Sequence, residues 1–292
     1  MNFKGKKTII LEGGGFKTSF SAGVLDAFRM TNFDDFDVHI GVSGGSLALS
    51  YFLSEQYGDY YASMKTLCRD TRFIKLKKAF SDGLMNLDFF YDIAEKEFPF
   101  HLEKAVNKLN DKEFYIVLTN SLDGSTIYRQ PSFDNWIDMT IAASTVPVIT
   151  KGKHYLDGIP YSDGGITDPI PIKWAVENGA DDIVLIRTTH QNFKPGYLRP
   201  ELVAAQIIRD NPPIKAHVEN YQYKLKESVD FANQLEKEIN LHQIAPAQPL
   251  TTNIYTYSVS NIIQDYRYGL HEGLIFVNKQ RNMKVNNFQH VG

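Results

Sequence analysis

Cysteine is almost absent from this chain: Cys68 is the only one in 292 residues. A single thiol cannot form an intrachain disulfide, and there is no cysteine cluster with metal-ligand spacing. Long apolar runs are missing too. No stretch approaches the roughly 18 apolar residues that a membrane span needs. Met1–Lys7 carries basic residues, but it leads into a short strand and glycines, so it does not read as a signal peptide. An excess of positive charge is also lacking. The formal net charge is −3, which supplies no global field for nucleic acid. There is no internal repeat and no low-complexity segment. These absences leave an expectation of a cytoplasmic, mixed α/β protein. Hydrophobic residues make up 43% of it, ample for a buried core.

What is present centres on Ile40-Gly41-Val42-Ser43-Gly44-Gly45. A β-branched run ends there in a turn of small residues, and a helix-compatible run from Ser46 to Leu53 follows at once. This is the Gly-x-Ser-x-Gly elbow in its strand–turn–helix context. A serine held on a tight turn sits in strained backbone, and the neighbours Gly41 and Gly45 avoid clashes by having no side chain. The helix behind Ser43 aims the positive end of its dipole at the hydroxyl. The reading is an acyl-transfer nucleophile.

Earlier, Thr8–Leu11 reads as a buried strand, and Ser19–Phe28 has helical spacing. Between them lies Glu12-Gly13-Gly14-Gly15-Phe16-Lys17. A glycine loop there can present backbone N–H groups to an anion, either a phosphate or an oxyanion. No Gly-Lys-Ser/Thr closes it, so it is not a Walker loop. Two glycine turns, each between a strand and a helix, fit one site at the carboxyl edge of a parallel sheet. Downstream, strands are expected at 38–42, 114–120, 126–129, 182–187 and 254–259. Helices are expected from the elbow to about Tyr57, at 136–144 and 172–178, within 221–239 and at 261–281, with a frayed end from Asn282. Residues 58–113 interleave Lys and Arg with aromatics. They suit a lid, a surface touching anionic lipid, or a solvated helix face.

A serine needs a base. His190 or His217 could close a Ser–Asp–His order, although few residues precede Ser43. An aspartate acting directly is the alternative. Asp163 is followed by Gly164 and Gly165, so its backbone can approach another loop. Asp157, also followed by glycine, is a second candidate.

Three separated motifs carry a resemblance. They are Glu12–Lys17 with Ser21–Asp26, Gly41–Gly45, and Asp163-Gly164-Gly165 with Asp168-Pro169-Ile170-Pro171. Together they resemble the bacterial patatin-like phospholipase family over about residues 8–190. The resemblance is looser in the tail, from Tyr255 to Gly273. It implies a three-layer α/β/α sandwich with a mostly parallel sheet and a helical C-terminal extension. It also implies a Ser–Asp dyad acting on acyl esters of lipids, with no metal or other cofactor. Residue by residue, Ser43 would be the nucleophile and Asp163 the base, with Gly13, Gly14 and Gly15 as oxyanion donors. One departure is Thr18 after Lys17, where the family usually has glycine. The expected organisation is a catalytic domain over 1–200, carrying the lid-like insertion at about 58–113, and an extension over 201–292 packed on it. The partners expected are a lipid or other acyl ester and a peripheral membrane face, with no nucleic acid. Short-chain esterase or thioesterase activity, or lipid binding without turnover, are the competing readings.

Overall fold

The computed structural model describes residues 1–70, 86–87, 96–147, 149–150, 154–197, 200–208, 210–254, 256 and 258–289. The chain begins with β1 (Lys7–Leu11), a 3₁₀ turn at Gly15–Thr18, α1 (Ser19–Met30), β2 (Val38–Val42), α2 (Gly44–Leu53) and α3 (Asp59–Leu67). Residues 71–85 and 88–95 of the expected lid lie outside the described residues. Beyond it come α4 (Leu102–Lys108), β3 (Glu113–Asn120), β4 (Thr126–Arg129) and α5 (Trp136–Ala143). A hairpin of β5 (His154–Leu156) and β6 (Ile159–Asp163) leads to α6 (Ile172–Glu177) and β7 (Asp182–Ile186). α7 (Pro200–Ile207), α8 (Pro212–Glu219), α9 (Tyr221–Leu235), β8 (Asn240–Ile244) and α10 (Val259–Gln289) follow.

The strands form one sheet in the order β5-β6-β3-β2-β1-β7-β8, with β4 added on β3. β3–β2–β1–β7–β8 are parallel neighbours; β4, β5 and β6 run antiparallel. The central strands are apolar on both faces because helices cover both. Ile9, Leu11, Phe114, Ile116 and Leu118 pack with α1, α2, α5 and α10 on one side. Ile10, Ile40, Val42, Tyr115 and Val117 pack with α6 and α9 on the other. The fold is thus mixed α/β around a mostly parallel sheet, as the sequence led one to expect.

One detail of the sheet matters for the site. β3 pairs β2 over 113–117, β6 over 118–120 and β4 over 116–119. Two strands cannot share the same stretch of one edge, so β4 takes one edge and β2 and β6 share the other, end to end. Where β2 stops at Val42, opposite Val117, antiparallel β6 arrives and ends with Asp163, opposite Leu118.

The C-terminal part departs from expectation. The described residues of 254–258 are turn and loop, not a strand, and Val259 already starts α10. Asp265 draws the Thr251 and Thr252 N–H groups to itself, so this segment does not offer them to a sheet. The last strand is instead β8, which follows the expected 221–239 helix in a stretch where the sequence predicts no element, and α9 ends at Leu235. α10 runs to Gln289 rather than fraying at Asn282. The elbow helix stops at Leu53, not near Tyr57.

Buried ionisable groups make the fold pH-sensitive. His39 on β2 is fully buried, with Nδ1 3.2 Å from the Glu113 carbonyl. Burial pushes its pKa down to about 3. The unfolded chain takes up this proton below about pH 6.5, so His39 weakens the fold progressively as pH falls from there toward 3. Asp26 acts in the opposite sense. Burial raises it to about 6, so its destabilising charge is relieved as pH falls from 6 toward 3.8. Comparing pH 7 with pH 5 by chemical denaturation, His39→Gln should shift the stability difference toward pH 5 by about 2 kcal/mol relative to wild type. An unchanged difference would show that His39 titrates normally.

Candidate active site

Ser43 occupies the turn between β2 and α2 with φ 52 and ψ −129. For a residue with a Cβ, this conformation costs on the order of 1–3 kcal/mol. Sterics on either side hold it. A Cβ on Gly41 would lie 2.5 Å from Ser46 Cα, and one on Gly45 would lie 2.7 Å from the Leu11 carbonyl oxygen. Both glycines let α2 lie against the ends of β1 and β2. The Ser43 carbonyl accepts hydrogen bonds from Ser46 N–H and Oγ at 2.9 and 2.5 Å. Ser43 as a residue is half-buried.

The shared edge of β3 brings Asp163 to this serine. Asp163 is 4% exposed, and its carboxylate accepts the Gly165 N–H at 2.8 Å. Burial raises its pKa to about 6, against the lowering effect of hydrogen bonds from Ser43 and Gly165. Gly164 and Gly165 make room: a Cβ on Gly164 would lie 2.3 Å from the Val117 carbonyl oxygen. Asp157 is placed elsewhere. It sits on the β5–β6 turn with φ 53, its side chain 73% exposed and paired with Arg129 at 2.7 Å.

The glycine loop lies directly against the elbow. A Cβ on Gly13 would come within 2.7 Å of Ser43 Cβ. Gly14 and Gly15 have φ 132 and 57, a run of backbone that only glycine enters freely. Among the described residues, no hydrogen bond takes up the Gly13 or Gly14 N–H. Buried Glu12 fixes the loop's start, accepting the Thr188 and Thr189 N–H groups at 2.9 Å each and the Thr189 hydroxyl. Thr188 Oγ1 donates to the Gly13 carbonyl at 2.6 Å. At the other end, Thr18 Oγ1 and the Tyr60 hydroxyl are 2.7 Å apart, and Tyr60 donates to the Gly44 carbonyl at 3.1 Å. Lys17 is on the 3₁₀ turn, its N–H bonded to the Gly14 carbonyl at 3.1 Å.

Neither candidate histidine joins this arrangement. Among the described residues, no hydrogen bond links His190 or His217 to Ser43. His217 on α8 pairs with Lys224, and its Nε2 lies 3.0 Å from where a Gly124 Cβ would be. His190 follows β7, where burial and the neighbouring Lys17 and Arg187 lower its pKa. Sequence reasoning passed over Thr188, Thr189, Tyr60 and Tyr221. Thr188 and Thr189 had a signal, a hydroxyl pair immediately after a strand at the carboxyl edge. Tyr221, at the start of α9, had none. Burial and the carboxylates of Glu12 and Asp163 raise its phenol's pKa. Among the described residues, no group of three or more His, Cys, Asp or Glu could hold a metal ion.

Comparison with known proteins bears on the family. A model of the patatin-like phospholipases matches residues 9–176, and one for a domain of unknown function matches residues 211–284. The protein named "Uncharacterized protein YjjU", from Escherichia coli strain K12, is 28% identical over 273 residues, which are 91% of this chain and 75% of that protein. The crystal structure of VipD from Legionella pneumophila superposes with a TM-score of 0.46 at 12% identity, covering 94% of this chain and 67% of VipD. The family match takes in more than half of the sequence and includes the elbow, the glycine loop and Asp163. This chain belongs to the patatin-like phospholipase family, a family of lipid hydrolases and esterases.

Proposed function

We propose that the chain is a serine acyl hydrolase that cleaves carboxylic esters of lipids with a Ser43–Asp163 dyad. The observation that carries this reading is the strained, half-buried Ser43 on the elbow together with the buried Asp163 carboxylate, whose pKa the serine hydroxyl helps hold down. Ser43 Oγ attacks the ester carbonyl carbon as its proton passes to Asp163. The carbonyl oxygen becomes an oxyanion facing the Gly13–Gly15 N–H groups, each such donor contributing about 2.7–4 kcal/mol in comparable sites. The ester C–O bond breaks, and the leaving alkoxide takes the proton from Asp163. Water then attacks the acyl-serine. Its proton moves to Asp163 and on to Ser43 Oγ, and the free acid departs. Burial suits Asp163 to this work, since a base with a pKa near the working pH both accepts and returns a proton readily. Glu12 and Tyr60 hold the two loops in register.

In this reading residues 1–200 form the catalytic unit and 201–292 pack on it. No described helix is long and apolar enough to cross a membrane. The test is incubation of phospholipid vesicles with wild type and Ser43→Ala, alongside a fluorophosphonate probe. Wild type should release free fatty acid and take up the probe; Ser43→Ala should do neither, a fall on the order of a millionfold in turnover. Labelling that survives in Ser43→Ala would overturn the assignment. A rate that declines steadily with acyl-chain length would favour a short-chain esterase.

A further inference from the structure

Two buried hydroxyls, those of Thr18 and Tyr60, join the far end of the glycine loop to the turn that carries Ser43. Thr18 Oγ1 lies 2.6 Å from the Gly15 carbonyl oxygen and 2.7 Å from the Tyr60 hydroxyl, which lies 3.1 Å from the Gly44 carbonyl oxygen. The contact is steric as well as polar. A Cβ on Gly44 would meet Thr18 Oγ1 at 3.0 Å, Thr18 Cγ2 at 3.1 Å and the Tyr60 hydroxyl at 3.2 Å. The residue after Ser43 therefore packs directly on the pair.

Two hydroxyl hydrogens serve these three contacts. In one arrangement Thr18 donates to the Gly15 carbonyl and Tyr60 donates to Thr18. In the other, Thr18 donates to Tyr60 and Tyr60 donates to the Gly44 carbonyl. The two side chains are bonded to each other in both, so they act as one unit. Burial raises the Tyr60 pKa, which keeps the phenol neutral and able to donate as well as accept. Its surroundings hold it in place. The Tyr60 ring lies 5.8 Å from the Tyr51 ring of α2. The preceding Asp59 carboxylate accepts Gln56 Nε2 at 2.7 Å. Gln56 also donates to the Pro99 carbonyl and accepts the His101 N–H, at 2.9 Å each.

We infer that Thr18 and Tyr60 are paired positioning residues that set the distance between the glycine-loop N–H groups and Ser43. This deepens the acyl-hydrolase reading above and rests on it. Attack by the serine and capture of the oxyanion happen at one carbonyl group, so both loops must meet it at once. Glu12 fixes the start of the glycine loop through Thr188 and Thr189. The hydroxyl pair fixes its end against the elbow, which makes α3 part of the frame of the site. A loosened frame weakens the donors where charge develops in the transition state. The cost then falls on kcat and leaves KM alone.

The experiment measures kcat and KM for p-nitrophenyl butyrate, and the rate of Ser43 labelling by a fluorophosphonate. The proteins are wild type, Thr18→Val, Thr18→Ser, Tyr60→Phe and the double variant Thr18→Val with Tyr60→Phe. Thr18→Val keeps the branched shape and loses the hydroxyl. It and Tyr60→Phe should each lower kcat by about 10- to 100-fold with KM unchanged, and slow labelling in step. Thr18→Ser keeps the hydroxyl and should restore most of the lost rate. The double variant should be no slower than the slower single variant, because either change breaks the same unit. Unchanged kcat in both single variants, losses that multiply in the double variant, or a raised KM with kcat kept would each overturn this inference, and wild-type labelling would leave the dyad standing. A wild type that neither turns over the ester nor takes up the probe overturns both. Should Thr18→Val unfold at the assay temperature, Tyr60→Phe decides, because it removes one oxygen and keeps the ring that packs on Tyr51.

Discussion

Asp163→Asn should lower kcat/KM by about 100- to 10,000-fold while leaving the chain folded and more stable than wild type at neutral pH. The activity loss follows from removing the base, whose share in comparable enzymes has that size. The pH profile of wild type should carry the same signature. Only ionised Asp163 can take the serine proton, and burial raises its pKa to about 6. The rate should therefore rise with pH through about 6 and level off above it. The stability gain has the same cause. A carboxyl whose folded pKa is raised favours its protonated form in the native state. Its contribution is complete below its unfolded pKa of 3.8 and is lost as pH rises through about 6. A neutral amide of the same shape escapes that loss, by about 1–3 kcal/mol at pH 7, and can still accept the Gly165 N–H. A histidine-based mechanism predicts neither effect together. An acid limb near pH 4, or an Asp163→Asn variant that is destabilised at pH 7 and still active, would remove Asp163 from the base role.

Local chemistry made much of the site readable. A glycine on either side of a serine, three glycines after a strand, and Asp-Gly-Gly before a proline-rich turn each impose a backbone shape by themselves. Between Asp157 and Asp163 the sequence favours Asp163, which has two glycines after it and Asp168-Pro169 downstream. Sheet register adds what the sequence does not show: β6 takes over the edge of β3 that β2 vacates, whereas Asp157 stays on the exposed β5–β6 turn. The strand expected at 254–259 failed for a related reason. Its β-branched and aromatic residues favour extended backbone, but Asp265 claims the amides just before it. β8 was hidden in the opposite way. Asn240-Leu241-His242-Gln243-Ile244 carries no strong β signal, and its pairing with β7 settles its conformation. Tertiary contact overrode propensity in both places. The contact of the Ile254 backbone with Gly15 joins positions far apart in the chain, and no pattern in either segment announces it.

Gly269→Leu should be the most damaging single change away from the site, costing roughly 3 kcal/mol or more, or preventing folding outright. α10 and α1 cross with their backbones almost touching. A Cβ on Gly269 would sit 1.9 Å from the Phe20 carbonyl oxygen, and one on Gly23 would sit 2.1 Å from the Tyr266 carbonyl oxygen. One turn further on, Gly273 would meet Ala27 Cβ at 2.7 Å. Any side chain at the crossing must drive the helices apart. That separation strips the apolar seam and breaks the Tyr266 hydroxyl bond to buried Asp26, 2.8 Å long. Asp26 would then be left under-solvated, which adds to the cost. Gly269→Ala should fall between wild type and Gly269→Leu. Gly58→Ala is the control: it also replaces a glycine, but no atom lies within 4 Å of its Cβ, and only its φ of 75 is strained. Urea midpoints of the three variants, read with the m-value held in view, test the order. A Gly269→Leu midpoint equal to that of Gly58→Ala would refute the close crossing.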